Sequence, residues 1–518
     1  AASPDYLLVY NFHNRDPKEQ SLSDTYDVII IGGGVVGSMT ARFLSRYQLK
    51  ILLIEKESDV GMGASAANSA IVHAGYDPEP GTLKAELNVL GNPMWDALSG
   101  ELGFAFERRG DYVVAVGEEE LPALHKLLEQ GIRNGVPGLH LVSADEMRRR
   151  EPAIIPDVSG ALWAPTGGLC DPFAVTVAAT ENAIQNGVTV LLDTAFEDFI
   201  IENGAITGVR TSRGVFSCRW AVNAAGINAD EVMHKAGVRL EFKISPRRGE
   251  YCVLDRAEVT INNVLFPTPT DKGKGILVTA TLHGNTILGP NAEVIEDKEG
   301  REVTPGGLQE IWNGARKLVP SLQPKHTIAV FAGLRAMGNA PCKTPGVKHS
   351  HDFVVEIPAE VRGLVNLGGI ESPGFTAAPA IALRVIELLK DVGEKLAEKP
   401  DWNPIRPPRP RFRNLSLEEQ LKLVHTDPAY GRIICRCENV TEAEILQEIH
   451  APLPARTYDA IKRRTWLGTG RCLGSFDMPR VVEILARELE ISPFEVSKKG
   501  PGSEFLLRAT KGEVPHAC

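Results

Sequence analysis

The hydrophobic and polar positions of the first part of the chain spell strand, glycine turn, helix, strand. Val28 to Ile31 and Ile51 to Ile54 are continuous apolar runs of the length expected for strands buried on both faces. Between them, Gly32, Gly34 and Gly37 precede a stretch of helical periodicity. The order predicts a parallel βαβ unit with a tight turn, a close backbone approach to a pyrophosphate, and close helix–strand contact. Glu55 ends the second strand, 18 residues beyond Gly37, where a carboxylate accepts hydrogen bonds from ribose hydroxyls, and Lys56 follows it. The phosphates of a dinucleotide are expected on the helix N-terminus.

Further along, a small-residue loop (GMGASAANSAIVHAGYDPEPGTLKAELN) leads into helical periodicity from Leu87 to Leu102. Strand-like segments follow at Tyr112 to Val116, Val188 to Leu192 and Ala205 to Thr211. Near Trp220 an apolar strand enters the turn AVNAAG, returning the chain to the nucleotide unit. Residues 240 to 335 are strand-rich, with turn signals at Asn262-Asn263, Asp271 to Gly275 and His283 to Asn285, and predict an antiparallel substrate sheet. A short strand at Leu364 to Leu367 precedes GGIESPGFTAAP and a helix from Ala380 to Leu396.

The fold class is therefore α/β: a Rossmann-like nucleotide domain over residues 25–398, interleaved with a substrate domain at about 90–170 and 240–335. Residues 1–24 form an N-terminal extension. The five prolines of KPDWNPIRPPRPRF (399–412) make an extended linker, and residues 413–518 make a small, mainly helical domain with amphipathic helices in TEAEILQEIH and PRVVEILARELE.

Length and charge narrow the functions. At 518 residues the chain exceeds a single core, and a net charge of −10 with mixed signs excludes nucleic acid as the main partner and gives no basic surface for a membrane. No apolar run approaches the ~18 residues of a transmembrane segment. Eight cysteines, five of them scattered, suit a reducing compartment. About 24 residues precede the first strand and no methionine starts the chain, which reads as a removed presequence and a mitochondrial location, with a cytoplasmic one as the alternative.

The glycine fingerprint alone leaves FAD and NAD open. Together with NSAIVHAGY, PGTLKAELN, PRRGEY, FPTPTDKGKGILV, HGNTILGP and FAGLR, it resembles the FAD-dependent oxidoreductases of the D-amino-acid oxidase superfamily. Within it the match is to the glycerol-3-phosphate dehydrogenase and L-2-hydroxyglutarate dehydrogenase group, over residues 25 to 395. The resemblance implies FAD, held by Gly32, Gly34, Gly37 and Glu55, by Ala64, Ser65, Asn68 and Ser69, and by Gly226. Gly374, Phe375 and Thr376 open a helix whose amides would stabilise negative charge on the flavin.

Oxidation of an alcohol requires a base and a cation to fix an anionic substrate. His73 is assigned as base or orienter, with His283 as the rival base. Arg335 and Arg248 are the expected anion anchors, and Arg247 is expected to face away because neighbours on a strand point to opposite faces. Tyr251 is a donor to the substrate oxygen or a packed side chain, and Lys274, between Gly273 and Gly275, is a flexible cation or a solvated turn lysine. The implied reaction is oxidation of a small anionic secondary alcohol, foremost sn-glycerol 3-phosphate, with a 2-hydroxy acid such as L-2-hydroxyglutarate as the alternative. Electrons leave to an acceptor or a partner complex other than NAD. A reading of another class, an accessory subunit that keeps the fold without turnover, rests on Ala280, Asp477 and the N-terminal extension.

Cys435, Cys437 and Cys472, with 34 residues between the last two, resemble the bacterioferritin-associated-ferredoxin-like [2Fe–2S] domain. Its fourth thiolate position is Asp477 here. Three outcomes stay open: Asp477 supplies an oxygen ligand, the site holds no cluster, or Cys518 returns as the fourth ligand.

Overall fold

The computed structural model describes residues 25–257, 259–269, 275–347 and 351–510. The N-terminal extension, Lys274 and Cys518 lie outside the described residues.

The strand Thr25–Ile31 sits in the middle of an eight-stranded sheet. It runs parallel to Ile51–Ile54 on one side and Gly214–Asn223 on the other, so its Val28 to Ile31 are almost fully buried. The turn that follows is forced by sterics. Gly32 has φ of +107°, and a Cβ there would come within 2.5 Å of the Ala224 carbonyl oxygen. A Cβ at Gly37, on the helix Val35–Leu44, would come within 2.0 Å of the Gly32 oxygen, so the helix approaches the strand end only because residue 37 is glycine. Ala224 N donates to Ile31 O at 2.9 Å, which places the AVNAAG turn directly over the glycine loop.

The second sheet has nine strands and is mostly antiparallel, built from residues 111–164 and 244–338. It departs from the expected pure antiparallel sheet at one pair, where Val264–Pro267 runs parallel to Asp111–Val116. Its longest pairing joins Ile244–Leu254 to Thr327–Gly338 in continuous register from Ile244↔Gly338 to Val253↔Ala329.

Two helices differ from expectation for local reasons. The periodicity over 87–102 is divided into Leu83–Gly91 and Met94–Leu102 by Pro93, which has no N–H to continue the first helix. The late helix is Gly374–Asp391; it ends before Gly393, whose φ is +92°.

The proline-rich segment forms no regular element and acts as a belt. Arg406 and Arg409 both bind the buried carboxylate of Glu181, at 2.5 and 2.8 Å, and Arg409 also reaches Glu448 in the C-terminal region. That region holds a two-stranded hairpin and the helices Glu442–Ile449, Tyr458–Thr465 and Met478–Glu488 around their own apolar core. It docks through Arg464 and Arg463 onto Asp59, each at 2.7 Å, with Arg464 and Asp59 both fully buried. Among the described residues no helix is long and apolar enough to cross a membrane.

Candidate active site

A cavity of about 1790 Å³ runs between the two sheets, from the glycine loop to the substrate sheet. Gly32, Gly34, Glu55 and Lys56 line one end; Ala64, Ser65, Asn68, Ser69 and Gly226 line the middle; His73, Tyr251, Arg335, Gly374 and Phe375 line the other. The loop residues are fixed by local hydrogen bonds. Ser65 Oγ accepts from Val35 N at 2.9 Å, satisfying an amide of the first helical turn, and Asn68 ties its own loop together through Ser65 O and Ala70 N. Glu55 accepts from Gly33 N at 2.6 Å and Glu57 N at 3.0 Å; burial nevertheless pushes its carboxyl pKa up.

These residues fit FAD. A Cβ at Gly63 or Gly226 would meet no protein atom within 4 Å, so both open onto the cavity. The glycine turn, the Glu55 carboxylate and the start of the helix Gly374–Asp391 then present the donors and acceptors for phosphate, ribose and an electron-rich ring. Thr376 is not part of that lining. It is fully buried, accepts from His73 N at 2.8 Å, and its carbonyl accepts from Trp95 Nε1 at 3.0 Å, so it holds the His73 loop against the helix. Phe375 faces the cavity and stacks on Trp95, ring centroids 4.9 Å apart. Gly37 lies outside the lining too and serves the helix–strand contact.

At the substrate end, His73 Nε2 lies 3.5 Å from Ser372 Oγ, and its backbone carbonyl accepts from Asn92 Nδ2 at 2.9 Å. Tyr251 is buried against Phe331, centroids 4.6 Å apart, and its hydroxyl meets Ser69; burial raises its pKa, against the pull of Arg335 and Ser69. Arg335 donates to Asn291 O at 2.8 Å and has no carboxylate within salt-bridge distance among the described residues. Burial lowers its pKa.

The anchor pair differs from expectation. Arg247 and Arg335 stand opposite each other in the strand register and both line the cavity. Arg248 points to the far side of the sheet, where it is buried against Glu293 at 2.6 Å and against Glu302, and the hydrogen bond to Glu293 raises its pKa. The signal was present in the alternation: Tyr251 is four residues from Arg247 and three from Arg248, so only Arg247 shares its face. His283 is also removed from the site. It lies at the contact with the C-terminal region, its ring 4.1 Å from that of Trp466, and burial lowers its pKa. Sequence reasoning missed a buried ion pair at the cavity wall, Lys84 to Glu371 at 2.5 Å. Asp352 accepts from the backbone amides of Leu83 and Lys84, which fixes the lysine's position at the helix start.

In the C-terminal region, Cys437 Sγ and Cys472 Sγ are 3.5 Å apart, and Cys435 lies buried beside Asp477. Burial and the adjacent carboxylate push the Cys435 thiol up to about 11. Among the described residues no three such side chains converge as a cage for a single metal ion.

Residues 27–388 match the FAD dependent oxidoreductase family. The chain belongs to that family. Residues 433–487 match the BFD-like [2Fe-2S] binding domain. Among relatives of this oxidoreductase, the glycerol 3-phosphate dehydrogenase of Caloramator mitchellensis is 44% identical over 94% of this chain and all of its own length. The glycerol 3-phosphate oxidase of Mycoplasma genitalium is 34% identical, covering 73% of this chain and 98% of that one. The dithionite-reduced, FAD-bound L-α-glycerophosphate oxidase of Mycoplasma pneumoniae superposes with a TM-score of 0.69 at 32% identity, over 75% of this chain and 99% of that one.

Proposed function

We propose that this FAD-dependent oxidoreductase dehydrogenates glycerol 3-phosphate. The observation that carries the reading is a paired cation site without a carboxylate on Arg335: two guanidiniums in register on one wall of the cavity, with His73 at the same end. Guanidiniums hold a phosphate dianion through parallel charge-assisted hydrogen bonds, and partial burial strengthens them. The 44% identity to a glycerol 3-phosphate dehydrogenase, which extends through the C-terminal region, supports phosphate over the carboxylate of a 2-hydroxy acid.

FAD, when bound, supplies the hydride acceptor. The chain's own residues bind, orient and deprotonate. Arg335 and Arg247 fix the phosphate, which leaves the secondary hydroxyl directed toward His73. The imidazole Nε2 takes the hydroxyl proton, and Ser372 Oγ with the backbone bonds of the 73 loop sets the ring orientation. Tyr251, held between Phe331 and Ser69, places a hydroxyl beside Arg335 for the substrate oxygens. The N-terminal amides of the helix Gly374–Asp391 favour negative charge at the adjacent cavity wall. Electrons then pass to an acceptor other than NAD. Steady-state turnover with an artificial acceptor tests the substrate: glycerol 3-phosphate should give the higher kcat/KM, and a preference for L-2-hydroxyglutarate would overturn the assignment.

A further inference from the structure

The loop from Trp466 to Asp477 brings Cys472 and the buried Asp477 up to Cys437 and Cys435, so three thiols and one carboxylate gather at one end of the C-terminal region. The donors fall into two pairs: Cys437 with Cys472, 3.5 Å apart, and Cys435 with Asp477. A binuclear cluster, which takes two protein ligands on each iron, asks for pairs rather than for a single point of convergence.

Asp477 is the unusual member. It is 1% exposed, yet among the described residues no basic side chain lies within salt-bridge distance of it, and Lys462 acts on it only from further away. Its Oδ1 accepts the Tyr458 hydroxyl at 2.7 Å, while Oδ2 is buried with no hydrogen-bond partner in good geometry. A carboxylate oxygen left in that state is costly unless a cation completes it. The Tyr458 hydroxyl is itself pressed against the loop: a Cβ at Gly468 or Gly474 would lie 2.4 or 2.3 Å from it. Two glycines thus make room for the tyrosine that aims the carboxylate.

We infer that Asp477 supplies the fourth ligand of a [2Fe–2S] cluster through Oδ2, completing a set of three cysteines and one aspartate, with Tyr458 as the positioning residue that holds the other oxygen. The loop is pinned to the catalytic part by Trp466 Nε1 to Asp171 at 2.8 Å and by Arg471 to Asp255 at 2.5 Å, so the cluster sits at the junction of the two regions.

The test uses the full-length holoprotein after anaerobic reconstitution with iron and sulfide. Wild type should hold iron and acid-labile sulfide in equal amounts and give the EPR signal of a reduced binuclear cluster. Asp477→Cys should keep the iron but move the g-values and the reduction potential, because thiolate donates more strongly than carboxylate. Asp477→Ala should lose most of the iron while keeping FAD at the wild-type level, and Tyr458→Phe should keep iron with a shifted potential. The inference is overturned if wild type takes up no iron while Asp477→Cys does, or if Asp477→Ala or Asp477→Ser retains full iron with an unchanged EPR spectrum. FAD content reports folding in every variant, and flavin reduction by substrate is a separate readout, so failure here leaves the substrate assignment standing.

Discussion

Arg247 and Arg335 face one another across an antiparallel strand pair, and both open onto the cavity that His73 also lines. The pairing makes the cation site a property of strand register. A one-residue slip of either strand would turn its guanidinium to the opposite face and break the pair.

Removing the anchors should therefore damage substrate binding selectively. Arg335→Ala or Arg247→Ala should raise KM for glycerol 3-phosphate by about ten- to a hundredfold, the range of one or two charge-assisted hydrogen bonds. Arg248→Ala should leave KM close to wild type and lower the melting temperature, because it strips a buried partner from Glu250 and from the Glu293 pair. Steady-state kinetics and thermal melts on the three variants check this.

The Lys84–Glu371 pair should act through the loop that carries Ser372. Glu371→Gln leaves the largely buried Lys84 ammonium without a counter-charge and should destabilise by about 3 kcal/mol. It should also lower kcat more than it raises KM, since Ser372 next in sequence orients His73. A kcat unchanged beside a lower melting temperature would restrict the pair to a structural role.

Docking of the C-terminal region should fail in acid. Burial alone would raise the Asp59 carboxyl, but Arg464 and Arg463 outweigh it and bring it from 3.8 down to about 2. A depressed carboxyl contributes stability above its unfolded pKa and loses it as pH falls through the folded one. The contribution, about 2 kcal/mol, should disappear between pH values of about 4 and about 2. Limited proteolysis of the 399–412 belt across that window, with Asp59→Asn as the comparison already loosened at neutral pH, measures it. His283→Ala should loosen the same contact without changing kcat.

Glu151 predicts the opposite slope. It is fully buried, with both oxygens facing Asn262 N at 3.1 Å, and burial pushes its carboxyl up to about 7. A folded pKa above the unfolded one means that the folded state binds the extra proton, so stability should fall as pH rises from about 4.5 to about 7. Glu151→Gln should flatten the melting temperature over that interval.

The nucleotide end of the site was legible in the sequence because its requirements are steric and local. Gly32 and Gly37 are demanded by contacts with Ala224 and with the turn itself, and spacing alone reveals them. The substrate end depends on which face of a strand each residue takes. Arg247, not Arg248, takes the cavity face, and the four-residue interval to Tyr251 encodes it. His283 and Thr376 lie off the cavity for another reason. What covers them, Trp466 in the first case and the His73 loop in the second, comes from residues far away in the chain, and no local pattern records it.

Anaerobic mixing of the FAD-loaded protein with glycerol 3-phosphate, followed in the visible flavin bands, reads directly whether this substrate reduces the flavin. Wild type should bleach rapidly, and Arg335→Ala much more slowly at the same substrate concentration. A flavin that stays oxidised with glycerol 3-phosphate would contradict it.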